Sequence, residues 1–279
     1  MPSYDITRPR FRLSDEHVIV LTELATGQPV PTEYRSAERE LQQCGLVSEA
    51  GTLSVLLLPV MQTIINPVVV ISLEATGRQG TLNHGLMIGQ DYVIAHQSWP
   101  TEREAEYTMV EPRMMVWAIA NMVNLQRSAI FDHAGPGLVE TTMRNLEEGL
   151  LGVAGFPLDV SAEEERAHIR ASLESTGTMA DPELSLFADM IGELRSSWRV
   201  TAAWRSHRGV ENGVTVRSFG VWDCGPLGYW HRELPAEPLE PGRVGPDSTV
   251  RLIRTDAKRI WAMLTDLLPA DSEIRRAGP

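Results

Sequence analysis

The sequence predicts an α+β protein built from two similar halves, each an antiparallel sheet with flanking helices, related by an approximate two-fold. Three observations predict it. Apolar spacing alternates between helical and strand periods along the chain. The order helix, helix, four strands, helix is read twice. The two closing helices align without a gap at Val116-Trp117-Ala118 and Ile260-Trp261-Ala262, 144 positions apart. On this reading residues 10–125 and 161–269 are the two α/β halves and 126–160 the connecting segment, together a single compact domain by pseudo-duplication.

In the first half, Phe11-Arg12-Leu13 is a short alternating piece, followed by Ser14 as a helix cap ahead of Val18, Leu21 and Leu24. Pro31-Thr32 opens a second helix over 32–44, closed by Gly45. A third stripe runs Leu53, Leu57, Met61, Ile64. Pro59 lies inside it, so the helix either kinks there or begins there. Asn66-Pro67 ends the helix and releases Val68 to Leu73 as a buried strand. Short strands follow near 85–90, 92–97 and Ala105 to Val110. Pro112 then starts a helix, Arg113 to Leu125, apolar nearly all round and therefore expected to be buried.

In the connecting segment, Val139 to Leu151 reads as a helix through Met143, Leu146 and Leu150. The second half opens with Ser161 and Glu164 as a capping box. Asp181-Pro182 starts a helix with the stripe Leu184, Phe187, Ile191, Leu194, Trp198. Strands are expected over Arg199 to His207, Val214 to Trp222, Leu227 to Arg232 and Thr249 to Ile253, with turns at Gly209–Gly213 and Gly225-Pro226. Thr255 is read as the cap of the last helix, and Pro269 as its stop.

Composition narrows the class. The 279 residues carry 43% hydrophobic and 22% charged side chains, enough for a real core. The net charge of −12 argues against nucleic acid as a partner. Nine acids and two arginines between Asp159 and Glu193 supply −7 of it, read as a solvated helical face. Only Cys44 and Cys224 are present, with no CxxC, so two reduced thiols, no metal and a cytoplasmic location are expected. The most apolar stretch, Val55 to Ile71, is interrupted by Pro59, Gln62, Thr63, Asn66 and Pro67, so no membrane insertion is expected.

Catalytic signatures are absent. Gly135-Pro136-Gly137 lacks a third glycine and a preceding strand. His231-Arg232-Glu233 matches half of a deaminase motif without the cysteines that complete it. Asp223 beside Cys224 raises a thiol pKa, the wrong direction for a nucleophile. No cofactor and no enzymatic activity are expected.

Apolar loading on both faces of the second sheet stands out instead. Val200, Ala202 and Trp204 point one way. On the next strand Val214 and Val216 share one face while Phe219 and Val221 share the other, which suggests a bulge near Ser218. Either the sheet is covered on both sides within the domain, or part of one face is an exposed platform for a protein partner. On the second reading Trp204, Phe219, Trp222, Tyr229 and Trp230 are the partner-binding candidates. Trp117 and Trp261 mark the structural repeat.

The run Asp223-Cys224-Gly225-Pro226-Leu227-Gly228-Tyr229-Trp230, then Val250 to Trp261 and Leu267-Leu268-Pro269, resembles the C-terminal region of the EspG family. Phe11 to Leu24, Gly45-Leu46-Val47 and Pro67 to Leu73 are similar to its N-terminal half, so the resemblance covers about residues 10 to 269. It implies a quasi-two-fold α+β fold without enzymatic activity: a cytosolic chaperone of type VII (ESX) secretion. Such a chaperone engages the apolar tip of a PE/PPE-like helical hairpin or heterodimer with its central sheet and C-terminal helices, and delivers that cargo for export. The segment Glu74 to Gly85, often used for cargo contact in the family, reads here as a short polar loop. A homodimerising scaffold without cargo, and an enzyme with an unfamiliar site, are the alternatives.

Overall fold

The computed structural model describes residues 1–5, 7–77, 80–126, 136–154, 161–205, 213–233 and 242–274. Among the described residues, eleven strands form one antiparallel sheet. The first half contributes β1 (Ser3–Asp5), β2 (Arg10–Leu13), β3 (Val69–Gly77), β4 (Gly80–Ile88), β5 (Val93–Gln97) and β6 (Ala105–Val110). The second contributes β7 (Leu138–Thr142), β8 (Ser196–Arg205), β9 (Val214–Asp223), β10 (Tyr229–Arg232) and β11 (Thr249–Thr255). Their spatial order is β1-β2-β6-β5-β4-β3-β8-β9-β10-β11-β7. Apart from β1 at one edge, the order reads the same from either side of the β3–β8 pair.

The helices complete the parallel. β2 is followed by α1 (Asp15–Ala25), α2 (Arg35–Gln43) and α3 (Leu58–Ile65), and β6 by α4 (Met115–Met122). β7 is followed by α5 (Met143–Ala154), α6 (Ala162–Ser175) and α7 (Glu183–Gly192), and β11 by α8 (Ala257–Leu267). The repeated unit is thus strand, three helices, four strands, helix. The halves meet in one continuous ladder from Val69↔Trp204 to Gly77↔Ser196.

Several sequence expectations change. The segment 126–160 is not a plain connector, because it carries β7 and all of α5. Leu138 to Thr142 extend beside β11 instead of starting the helix, burying Val139 and Thr141 on alternate positions. The stretch from Glu74 to Gly85 is not a loop: Gly77 and Gly80 close a long hairpin in which Glu74 pairs with Asn83 and Ser72 with Gly85. Pro59 sits in the first turn of α3, where a missing N–H is harmless, so the helix begins there. Asp256, not Thr255, caps α8, its carboxylate accepting from the Arg259 N–H at 2.6 Å. Trp198 belongs to β8, not to the helix before it. The turn read at Gly209–Gly213 lies outside the described residues except for Gly213, as do Ser206 and His207 of the strand expected before it and Gly135 of the Gly135-Pro136-Gly137 run.

Helices lie on both faces of the sheet in each half. Period-two alternation sends Val93 and Ala95 to a central core with Ile119 of α4 and Ile260 of α8. Ile94 between them goes to a second core beneath α1, α2 and α3. Likewise Val221 and Tyr229 join the central core, whereas Trp222 and Trp230 lie beneath α5, α6 and α7. One face of the sheet is therefore roofed at its centre by α4 and α8. The other is roofed at its two flanks and left open between them.

The caps support this arrangement. Ser14 accepts from the His17 N–H while the His17 ring returns to the Ser14 N–H, a capping box with histidine in the usual Glu place. Ser161 and Glu164 form the expected box on α6. In the acidic window Arg166 bridges Asp189 and Glu193, and Arg170 bridges Glu174 and Asp181, so its charge lies on a solvated, cross-linked face.

Candidate partner-binding face

The open face belongs to the middle strands. β3 presents Val70, Ser72, Glu74 and Thr76; β8 presents Ser197, Arg199, Thr201 and Ala203; β9 presents Val214, Val216, Ser218 and Gly220. The register arranges these in rows across the sheet. Met87, Val70, Ala203 and Val216 form an apolar row, with Val70 39% and Val216 56% exposed. Val214, at 62%, extends it toward the end of β9.

Two rows of small polar residues follow the strands away from it, ending near α7. The intervening row is Glu74, Arg199, Gly220 and Arg232. Gly220 has no side chain, so the two guanidinium groups, about 10 Å apart at their backbones, flank bare sheet. They open into a cavity of about 670 Å³, walled by Trp222, Met143 and Val244. Arg232 donates to the Met143 Sδ at 3.4 Å. Burial and the neighbouring Arg199 hold its pKa below the ordinary guanidinium value. Arg251, at the cavity rim, is engaged by Glu140 at 3.2 Å and Glu233 at 2.6 Å.

The five aromatic candidates occupy other places. Trp204, Phe219, Trp222, Tyr229 and Trp230 are between 0% and 8% exposed, so they build the cores instead of an exposed platform. Trp204 and Phe219 face α8; Arg217 stacks over the Trp204 ring at 4.9 Å and ties it to Glu273. Tyr229 holds the Gln126 N–H through its hydroxyl at 3.1 Å. Trp230 donates to the Leu227 carbonyl, and Arg254 lies over its ring at 5.0 Å. Trp222 stacks on Phe187 of α7 at 6.3 Å and alone of the five lines the cavity.

The expected bulge is absent: β8 and β9 pair without a break from Ser196↔Asp223 to Arg205↔Val214. The apolar residues of β9 change face because α8 covers one end of the strand from one side, while the opposite side is open. Trp117 and Trp261, read from the sequence as markers of the repeat, meet edge to face between α4 and α8.

The open-face residues that the sequence did not single out as candidates are Val70, Ala203, Val216, Arg199 and Arg232. A signal existed: Gly85-Leu86-Met87 and Gly220-Val221-Trp222 hold matching places in β4 and β9, so the repeat itself marks the positions facing the open sheet. Among the described residues no group of three or more His, Cys, Asp or Glu is placed to hold a metal ion. No described helix is long and apolar enough to cross a membrane.

The chain is EspG-like in fold. Its structure matches that of the Mycobacterium tuberculosis type VII secretion system chaperone EspG5, solved in complex with the PE25-PPE41 dimer. The match covers 95% of this chain and 100% of that one, with a TM-score of 0.53 and 10% sequence identity. No protein-family model matches the chain, nor does any curated protein sequence.

Proposed function

We propose that the protein is a cytoplasmic export chaperone that covers the apolar helical tip of a secreted PE/PPE-like protein and carries it to a type VII secretion system. The observation that carries this reading is the exposed row Val70, Ala203 and Val216, set in an open sheet between two helical blocks. A helix is about 10 Å across with its side chains, and four adjacent strands at about 4.8 Å spacing offer a seat of that order. The chaperone whose fold this chain shares was solved with a PE/PPE dimer, which supports the same class of cargo here.

The mechanism is cover and release, with no covalent step. Apolar side chains of the cargo replace water over the valine row, at roughly 1 kcal/mol for each valine newly buried. The acidic exterior, net −12, keeps the complex soluble.

Co-expression with small helical proteins encoded beside this gene, followed by size-exclusion chromatography, tests the reading. A stoichiometric complex abolished by Val216→Asp is expected. A concentration-dependent homodimer that excludes every such protein would instead favour a self-associating scaffold.

A further inference from the structure

The half-to-half repeat makes the open face nearly symmetric in backbone but not in chemistry. One end carries the valine row. The other carries two arginines on either side of a glycine. Among the described residues, neither Arg199 nor Arg232 has a carboxylate within salt-bridge distance, although Glu74 faces Arg199 from the next strand. Arg251 nearby is engaged by Glu140 and Glu233, which leaves the other two without an ion-pair partner among the described residues. Like charges flanking a partly enclosed cavity repel each other, and the described carboxylates that line it, Glu74 and Glu233, form no ion pair with either arginine. An anion between them relieves that repulsion and gains bidentate hydrogen bonds.

We propose that the cavity between Arg199 and Arg232 receives a carboxylate from an acidic side chain of the helical partner. The assignment of partner rests on the proposed function; the anion site itself does not. Arg199 and Ala203 are four residues apart on β8, so the cavity lies about 13 Å along the sheet from the valine row. A helix lying along β8 covers that distance in about nine residues. The partner therefore carries an Asp or Glu roughly two and a half turns from its apolar contact. Trp222 and Met143 form the apolar side of a cavity otherwise lined by polar and charged residues, and water displaced from that side strengthens the ion pair. The site sets orientation: a helix docked in reverse would bring its apolar patch to the arginines.

Nitrogen-labelled protein titrated with glutarate, and separately with inorganic phosphate, tests the site through the arginine Nε–H signals. Saturable shifts of Arg199 and Arg232 with glutarate, lost in Arg199→Gln, are expected. Arg199 is exposed, so this replacement leaves the cores intact. No localised shift, or the same shift in the variant, overturns the proposal. Tighter binding of phosphate than of glutarate overturns the carboxylate assignment in favour of a small phosphorylated ligand. With a helical partner in hand, Arg199→Glu should weaken binding by about tenfold or more and flatten its salt dependence. An unchanged complex overturns the proposal while the chaperone reading stands. Glutarate binding without any helical partner forming a complex overturns that reading and leaves the anion site.

Discussion

The indole rings of Trp117 and Trp261 meet edge to face, with centroids 4.8 Å apart and planes at 71°. They hold equivalent positions in the two halves, one on α4 and one on α8, so the contact lies where the repeat folds onto itself. Trp117 is still 52% exposed. A double-mutant cycle of Trp117→Ala and Trp261→Ala should return a coupling of about 0.5–1.5 kcal/mol in urea unfolding. Additive losses would mean the two rings stabilise their helices separately.

Gly85 and Gly220 are another equivalent pair, with opposite tolerance. A Cβ on Gly85 would stand 2.4 Å from the Ile71 carbonyl oxygen, a backbone atom that cannot step aside. On Gly220 the nearest atom is the Trp198 carbonyl oxygen at 3.6 Å, an ordinary contact. Gly85→Ala should therefore lower stability by about 1–3 kcal/mol. Gly220→Ala should be neutral or gain up to about 1 kcal/mol from reduced chain entropy. Urea midpoints compare the two directly.

Buried aromatics and exposed valines should separate stability from binding. Trp230→Ala removes a side chain with no exposure and should cost about 3–5 kcal/mol. Val216→Asp replaces a residue 56% exposed and should change the urea midpoint little while removing the complex with cargo.

The histidines set the acid limit. Burial holds His17, His84 and His96 below the ordinary histidine pKa, and His96 adds repulsion to His84. The Glu40 carboxylate opposes the shift at His17 without reversing it. With the folded pKa depressed, the unfolded chain binds more protons. Stability should be full above about pH 6.5 and fall as pH drops below it. Urea midpoints at pH 7.5 and 5.5 check the sign, and proton-detected titration of the rings should place all three inflections below that of free histidine.

The two thiols should differ in reactivity. Burial, then the Asp223 and Glu193 carboxylates, push the Cys224 thiol far above its ordinary range, and the residue is fully enclosed. Cys44 is half-buried at the end of α2. A thiol-labelling reagent should modify one cysteine in the native protein and two in denaturant, with peptide mapping assigning the first to Cys44.

Much of the architecture was legible because it follows from local chemistry. Gly45, Pro112, Ser161 with Glu164, and Val69 to Leu73 carry caps, first-turn prolines and strand runs that neighbours do not override. β7 was hidden because Leu138 to Thr142 pair only with β11, more than a hundred residues away, while Met143, Leu146 and Leu150 make the following helix pattern dominate. The open face escaped for a different reason. Large aromatic residues on strands advertise a surface, yet Trp204 and Trp230 are large because they fill cores beneath helices. What remains exposed, Val70 and Val216, looks ordinary until the register places them side by side. Arg199 and Arg232, thirty-three positions apart, become neighbours only through Gly220 between them.

The β3–β8 seam has a consequence for any shortened product of the gene. Nine residue pairs join the halves there, and the seam strand contains Val69-Val70-Ile71. Severed from its counterpart, either half would display a long, bare strand margin, the kind of template onto which a second copy stacks. Each half is thus the other's plug. A premature stop after the first half would release a seed for insoluble fibres instead of a smaller working molecule.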